Sequence, residues 1–145
     1  MVPRTLARTI QSASETFPVI LLTGPRQVGK TTLLEALAKK TRRYVTLDDI
    51  DQRSLAKTDP ALFLQTHTPP ITIDEVQYAP ELFPFIKMHV DRHKKAGDFW
   101  LTGSQQFRLM KGVQETLAGR VAIIDLLGLR SEEHTSELQS RGLSS

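Results

Sequence analysis

The chain contains no cysteine, so it can build neither a disulfide framework nor a thiolate metal centre. It also lacks any run of the ~18–20 apolar residues that a membrane-spanning helix needs, and no membrane partner is expected. Arg4 and Arg8 are not followed by an apolar stretch and a small-residue cleavage site, so no secretory leader is expected and the cytoplasm is the expected location. Ligand spacing is missing from the histidines as well: His67, His89 and His93 stand in separate contexts and His134 lies near the end. A strong excess of one charge is lacking too, though a net charge of +3 and a pI near 9.4 lean basic. Basic runs at Lys39-Lys40-Thr41-Arg42-Arg43 and Arg92-His93-Lys94-Lys95 can attract nucleic acid. Solvated helix ends, where cations suit the helix dipole, account for both runs, and no nucleic-acid partner is read from them.

What the sequence does contain is an alternation of two periodicities. Leu6, Ala7 and Ile10 recur at helical spacing within residues 4–14. Pro18 to Thr23 is an unbroken apolar run ending at a glycine, the pattern of a strand buried on both faces. Leu33, Leu34, Leu37 and Ala38 then mark one face of a helix from about Gly29 to Thr41. Tyr44 to Leu47 reads as a second strand. Asp48-Asp49 are read as the cap of a helix over roughly residues 50–57, a place near a bound nucleotide being the alternative. Asp59-Pro60 restarts a short helix with proline in its first turn. Ile71 to Asp74 is a third strand, and Pro80 or Pro84 opens a helix to about Lys95. Phe99 to Thr102 is a fourth strand and Val121 to Leu127 a fifth, with a helix over Gln105 to Ala118 that breaks at Gly112. Strands alternating with helices predict an α/β sandwich: a parallel sheet covered on both faces. Trp100, Phe83, Phe85 and Phe99 are assigned to its core.

One segment carries chemistry outright. Gly24-Pro-Arg-Gln-Val-Gly-Lys-Thr-Thr32 fits G-x-x-x-x-G-K-[ST], and it follows an apolar strand and opens a helix, as a phosphate-binding loop must. Gly24 and Gly29 allow backbone angles and close approach that a side chain would block. Successive N–H groups at a helix N-terminus then cradle the phosphates of ATP, so Gly24, Pro25, Gln27, Val28, Gly29, Lys30, Thr31 and Thr32 are the nucleotide-binding candidates. Lys30 brings a compact positive charge to the β- and γ-phosphates, and the Thr31 hydroxyl can ligate Mg²⁺.

About 40 residues on, where P-loop ATPases hold their metal-side acid, comes Asp74-Glu75. Asp74, at a strand end, is placed to hold Mg²⁺ and to face the same ion as Thr31, from what the spacing suggests are neighbouring strand ends. Glu75, one residue further, can deprotonate the attacking water. The fourth strand ends in Leu101-Thr-Gly-Ser-Gln105. Ser104 and Gln105, with Thr102 behind them, can hold that water; a polar turn in which Ser104 caps the next helix is the equal alternative. Arg120, after a glycine at a helix end, could reach the γ-phosphate of its own subunit or a neighbour's, which makes a second copy of the chain a candidate partner; a surface arginine at a helix C-terminus is the competing account.

The string Phe17-Pro-Val-Ile-Leu-Leu-Thr-Gly-Pro-Arg-Gln-Val-Gly-Lys-Thr-Thr-Leu33 resembles the start of a large prokaryotic family of AAA-type ATPases. So do Val45-Thr-Leu-Asp-Asp49, Asp59-Pro60 with Phe63-Leu64, Ile73-Asp-Glu-Val-Gln77 with Ala79-Pro-Glu-Leu82, Leu101-Thr-Gly-Ser-Gln105 and Leu117-Ala-Gly-Arg120. The resemblance spans nearly all of residues 4–129. It implies a five-stranded sheet of order 5-1-4-3-2, ATP at Gly24 to Thr32, Mg²⁺ at Thr31 and Asp74, catalysis by Glu75, and roles for Ser104, Gln105 and Arg120. It also implies a C-terminal domain beyond the ATPase core of residues 1–129.

Residues 130–140, Arg-Ser-Glu-Glu-His-Thr-Ser-Glu-Leu-Gln-Ser, resemble the in-frame translation of a common sequencing adapter and show no apolar periodicity. Residues 130–145 are therefore expected to be a non-native, disordered tail, and the gene product to be cut near Leu129. Three functions compete: an ATPase that drives a conformational change in the lost domain, a nucleotide-binding switch without turnover, and a small-molecule kinase. Glu75 favours the first over the second. The Asp-Glu pair and the polar end of the fourth strand argue against the third.

Overall fold

The computed structural model describes residues 4–25 and 29–126. The elements, in chain order, are α1 (Arg4–Thr16), β1 (Val19–Thr23), α2 (Lys30–Leu37), β2 (Arg43–Thr46), α3 (Ile50–Thr58), α4 (Pro60–Thr66), β3 (Ile71–Asp74), α5 (Phe83–His93), β4 (Phe99–Gly103), α6 (Phe107–Thr116) and β5 (Val121–Asp125). Two 3₁₀ turns, Val76–Tyr78 and Pro80–Leu82, carry the chain from β3 to α5. The strands form one parallel sheet ordered β2-β3-β4-β1-β5, which is the expected 5-1-4-3-2 read from the other edge.

Because strand side chains alternate between faces, each central strand supplies two cores at once. Val19 and Leu21 of β1 join Ile71 and Ile73 of β3 and Phe99 and Leu101 of β4 beneath α3, α4, α5 and α6. Ile20 and Leu22, with Trp100 and Ile124, pack on the opposite face against Ile10 of α1 and Leu33 and Leu34 of α2. The continuous apolar runs are thus explained: both faces of the sheet are covered.

Several boundaries differ from the sequence reading. α2 stops at Leu37, where Ala38 turns extended. Arg42 is no solvated charge: its guanidinium lies 3.9 Å from the Trp100 ring centroid and donates to the carbonyls of Ile71 and Gly97. Burial pushes its pKa down to about 10, partly offset by Asp98. Both prolines near 80 are used, Pro80 in a 3₁₀ turn and Pro84 in the first turn of α5. α6 runs unbroken through Gly112, which lies beside the Phe83 ring of α5, where an added Cβ would make ordinary contact at 3.6 Å. Phe85 is only half-buried, whereas Phe83, Phe99 and Trp100 are core. Asp49 alone caps α3, accepting from the N–H groups of Asp51 and Gln52. Among the described residues, no helix is long and apolar enough to cross a membrane. The expected tail at residues 130–145 and the end of the fifth strand at Leu127 lie outside the described residues.

Candidate functional site

The site forms where the strands end, and alternation decides which side chains meet there. Thr46 pairs in register with Asp74, while Thr72 lies opposite Trp100 and Ile73 opposite Leu101, so the row continues to Thr102. Tyr44, Thr46, Asp74 and Thr102 therefore share the α2 face of the sheet, at its C-terminal end. The N-terminus of α2 arrives on that face. Gly29, with φ 73°, makes the turn into the helix; that left-handed conformation, rather than lack of space, is what calls for glycine.

Asp74 is ringed by hydroxyls. Its Oδ1 accepts from Thr31 Oγ1 at 2.7 Å and from the fully buried Thr102 Oγ1. Its Oδ2 accepts from Thr46 Oγ1 at 3.0 Å and Tyr44 Oη at 3.1 Å. Burial first, and the Asp74 charge second, push the Tyr44 phenol up to about 12, so it remains a donor at neutral pH. Thr31 and Asp74 meet as expected, but not from neighbouring strands: β4 lies between β1 and β3. Thr31 bridges the gap because it sits at the start of α2 rather than on β1.

Glu75 is buried and adopts φ 62°, ψ 52°, a left-handed conformation that costs a non-glycine residue on the order of 1–3 kcal/mol. Hydrogen bonds hold it there. Its backbone N–H donates to Thr102 Oγ1 at 3.0 Å, and its Oε1 accepts from Gln77 Nε2 at 2.6 Å. Asp48 also comes in: one carboxylate oxygen each from Asp48, Asp74 and Glu75 lie within 4.8 Å of one another. Asp48 thus stands beside Asp74 and Glu75, while Asp49 caps α3.

Lys30 is buried, and its Nζ donates to the carbonyls of Gly24 at 2.6 Å and Pro25 at 3.1 Å, folding the ammonium into the loop. Thr32 and Pro25 are exposed beside it, while Gln27 and Val28 lie outside the described residues. Ser104, at the end of β4, donates its N–H to Gln77 Oε1 at 3.3 Å, and its buried Oγ has no hydrogen-bond partner. Gln105 follows on the surface. Ser104 therefore does not cap α6; Gln106 is the N-cap, without a side-chain bond.

Arg120 is not brought to this cluster. Its carbonyl accepts from Val19 N, at the opposite end of β1, a displacement of roughly 13 Å at ~3.3 Å per residue. Its guanidinium is engaged there by Asp91, at 2.7 and 3.0 Å, and by the carbonyl of Ala118. That placement is away from Thr31 and Asp74 of its own chain. Sequence reasoning missed Tyr44, Thr46 and Gln77. The first two carried a usable signal, being polar residues on alternate positions of a strand that ends level with Asp74.

The donor set suits a magnesium nucleotide. A hydroxyl and three carboxylates offer only hard oxygens, as Mg²⁺ requires. α2 opens at Gly29, which brings no side-chain cap, and a helix N-terminus favours an anion.

The chain is 40% identical over 141 residues to the uncharacterized proteins Mb2031c of Mycobacterium bovis and Rv2008c of Mycobacterium tuberculosis. These alignments cover 95% of this chain but 31% of each relative, so the chain spans about a third of their length. Its fold is similar to that of the Walker-type ATPase PABY2304 of Pyrococcus abyssi, with a TM-score of 0.58 and 17% identity, over 97% of this chain and 63% of that one. The profile of the AAA domain matches residues 16–135. With a loop, a hydroxyl-ringed aspartate and a sheet order that all accord with that match, the chain belongs to the AAA-domain family of P-loop ATPases.

Proposed function

We propose that the chain binds Mg–ATP at the loop preceding α2 and hydrolyses it to ADP and phosphate. The observation that supports this most is the meeting of Thr31, Thr102, Asp74 and Glu75 at one end of the sheet, at the N-terminus of α2. Lys30 would leave the Gly24 and Pro25 carbonyls for the phosphates, where its charge has more to gain. Thr31 and Asp74 would hold Mg²⁺, which supplies charge neutralisation on the phosphate oxygens. Glu75 takes the proton of the attacking water, whose oxygen bonds to the γ-phosphorus as the bond to ADP breaks. Ser104 Oγ, buried and unpartnered, is proposed to orient that water, with Gln105 at the rim.

The relatives are about three times as long as this chain, and we propose that in the full protein phosphate release changes the disposition of a further domain. The test of the hydrolytic reading is Glu75→Gln, followed by ATP titration and by phosphate release. Retained binding with turnover lost is expected. Hydrolysis as fast as the parent's would mean that Glu75 is not the base.

A further inference from the structure

We propose that Gln77 is a positioning residue that fixes the Glu75 carboxylate and locks it to the end of β4, an inference that rests on Glu75 acting as the base. Gln77 sits in the 3₁₀ turn after the Asp-Glu pair, and its carboxamide is used on both sides. Nε2 donates to Glu75 Oε1 at 2.6 Å, and Oε1 accepts from the Ser104 N–H at 3.3 Å. The orientation of the amide is forced by chemistry, because a carboxylate can only accept and a backbone N–H can only donate. Among side chains of this length, glutamine alone offers a donor and an acceptor on one planar group. A glutamate could take the Ser104 N–H but would repel Glu75, and a lysine could bond Glu75 but not accept from Ser104.

The surroundings are built to admit this amide. At Gly103, the last residue of β4, an added Cβ would lie 3.1 Å from Gln77 Oε1 and 2.6 Å from Leu109 Cδ2. The left-handed turn at Glu75 brings the chain back so that residue 77 can reach residue 75. The base and the segment carrying Ser104 and Gln105 thus share one bridge. A water held by Ser104 and a proton acceptor held through Gln77 keep a fixed relation, and this relation is what the chemical step depends on.

The test compares Gln77→Glu and Gln77→Met, both close in size to the parent, each checked for an unchanged melting temperature. Both are expected to bind Mg–ATP within about 2-fold of the parent while kcat falls on the order of 10- to 100-fold. In a Glu75→Gln background, Gln77→Met should lower the residual rate no further, because the residue acts through Glu75. Parent-like kcat in both variants, or equal losses in kcat and binding, would overturn the proposal. So would a full additional loss in the Glu75→Gln background. An inactive Glu75→Gln beside fully active Gln77 variants would sink this inference alone, whereas an active Glu75→Gln would sink the hydrolytic reading beneath it. The bridge is also checked without turnover: the Gln77 side-chain amide protons should be protected from exchange in the ¹⁵N-labelled parent and lose protection in Glu75→Ala. Exchange as fast as that of the exposed Gln105 would show that no bridge exists.

Discussion

Replacing Thr102 by valine removes one hydroxyl and almost no volume, at a position with no solvent exposure. That hydroxyl donates to Asp74 Oδ1 and accepts from the Glu75 N–H at 3.0 Å, so two groups lose a partner at once. A hydrogen bond to a charged group contributes about 1.5–3 kcal/mol, and a buried N–H left unpaired costs about 1–3 kcal/mol. Burying a methyl in place of the hydroxyl returns up to ~0.8 kcal/mol. Asp74 keeps Thr31, Thr46 and Tyr44, so it is not stranded, and the loss should fall in the lower part of the range, about 3 kcal/mol. For a domain of this size each kcal/mol shifts the melting temperature by roughly 3–5 °C, which predicts a fall of about 10 °C. Thr102→Ser keeps the oxygen and loses only a methyl, costing about 1 kcal/mol. Thermal and urea denaturation of the two variants beside the parent measures the difference. Should Thr102→Val prove as stable as Thr102→Ser, the hydroxyl would not be holding the Asp-Glu turn.

The remaining predictions concern charge. Burial lowers the pKa of His67, whose Nε2 is 2.8 Å from Gln52 Oε1, and of His89, with a further push from His93. The folded chain therefore binds fewer protons than the unfolded one below about pH 6.5, so stability should fall as pH drops from there and level off below the folded-state values. Melting curves from pH 7.5 to 5 should slope accordingly, and His67→Gln with His89→Gln should flatten the slope; an unchanged slope would rule the two histidines out. Asp91, whose pKa the Arg120 hydrogen bonds lower, holds Arg120 far from the loop. Arg120→Ala should accordingly leave ATP binding and single-chain turnover unchanged, and a large loss in dilute, monomeric protein would contradict that placement.

Local patterns in the sequence carried most of this structure. The loop was legible because its glycines, lysine and threonine do their work within nine residues, and the central strands because burial on both faces leaves no polar interruption. What escaped was set by register. Thr46 and Thr102 meet Asp74 only because the register of β2, β3 and β4 sets these three residues in one row, a relation between segments about 28 residues apart on either side. Gln77 was visible in Ile73-Asp-Glu-Val-Gln77, but its use depends on the left-handed turn at Glu75, which no propensity for glutamate suggests. The Gly112 break failed because one glycine costs a helix interior only about 1 kcal/mol, which burial of Leu109 and Val113 on the same helix outweighs. Arg120 could have been placed correctly. In a parallel sheet, a residue just before a strand lies at the end opposite a loop that follows one.

Isothermal titration of Mg–ATP into the parent chain and into Lys30→Ala tests most directly whether this loop is a nucleotide site. One equivalent should bind the parent, more weakly when EDTA removes the metal, and Lys30→Ala should show no binding. A parent that takes up no nucleotide, or a Lys30→Ala variant that binds as tightly as the parent, would contradict the account.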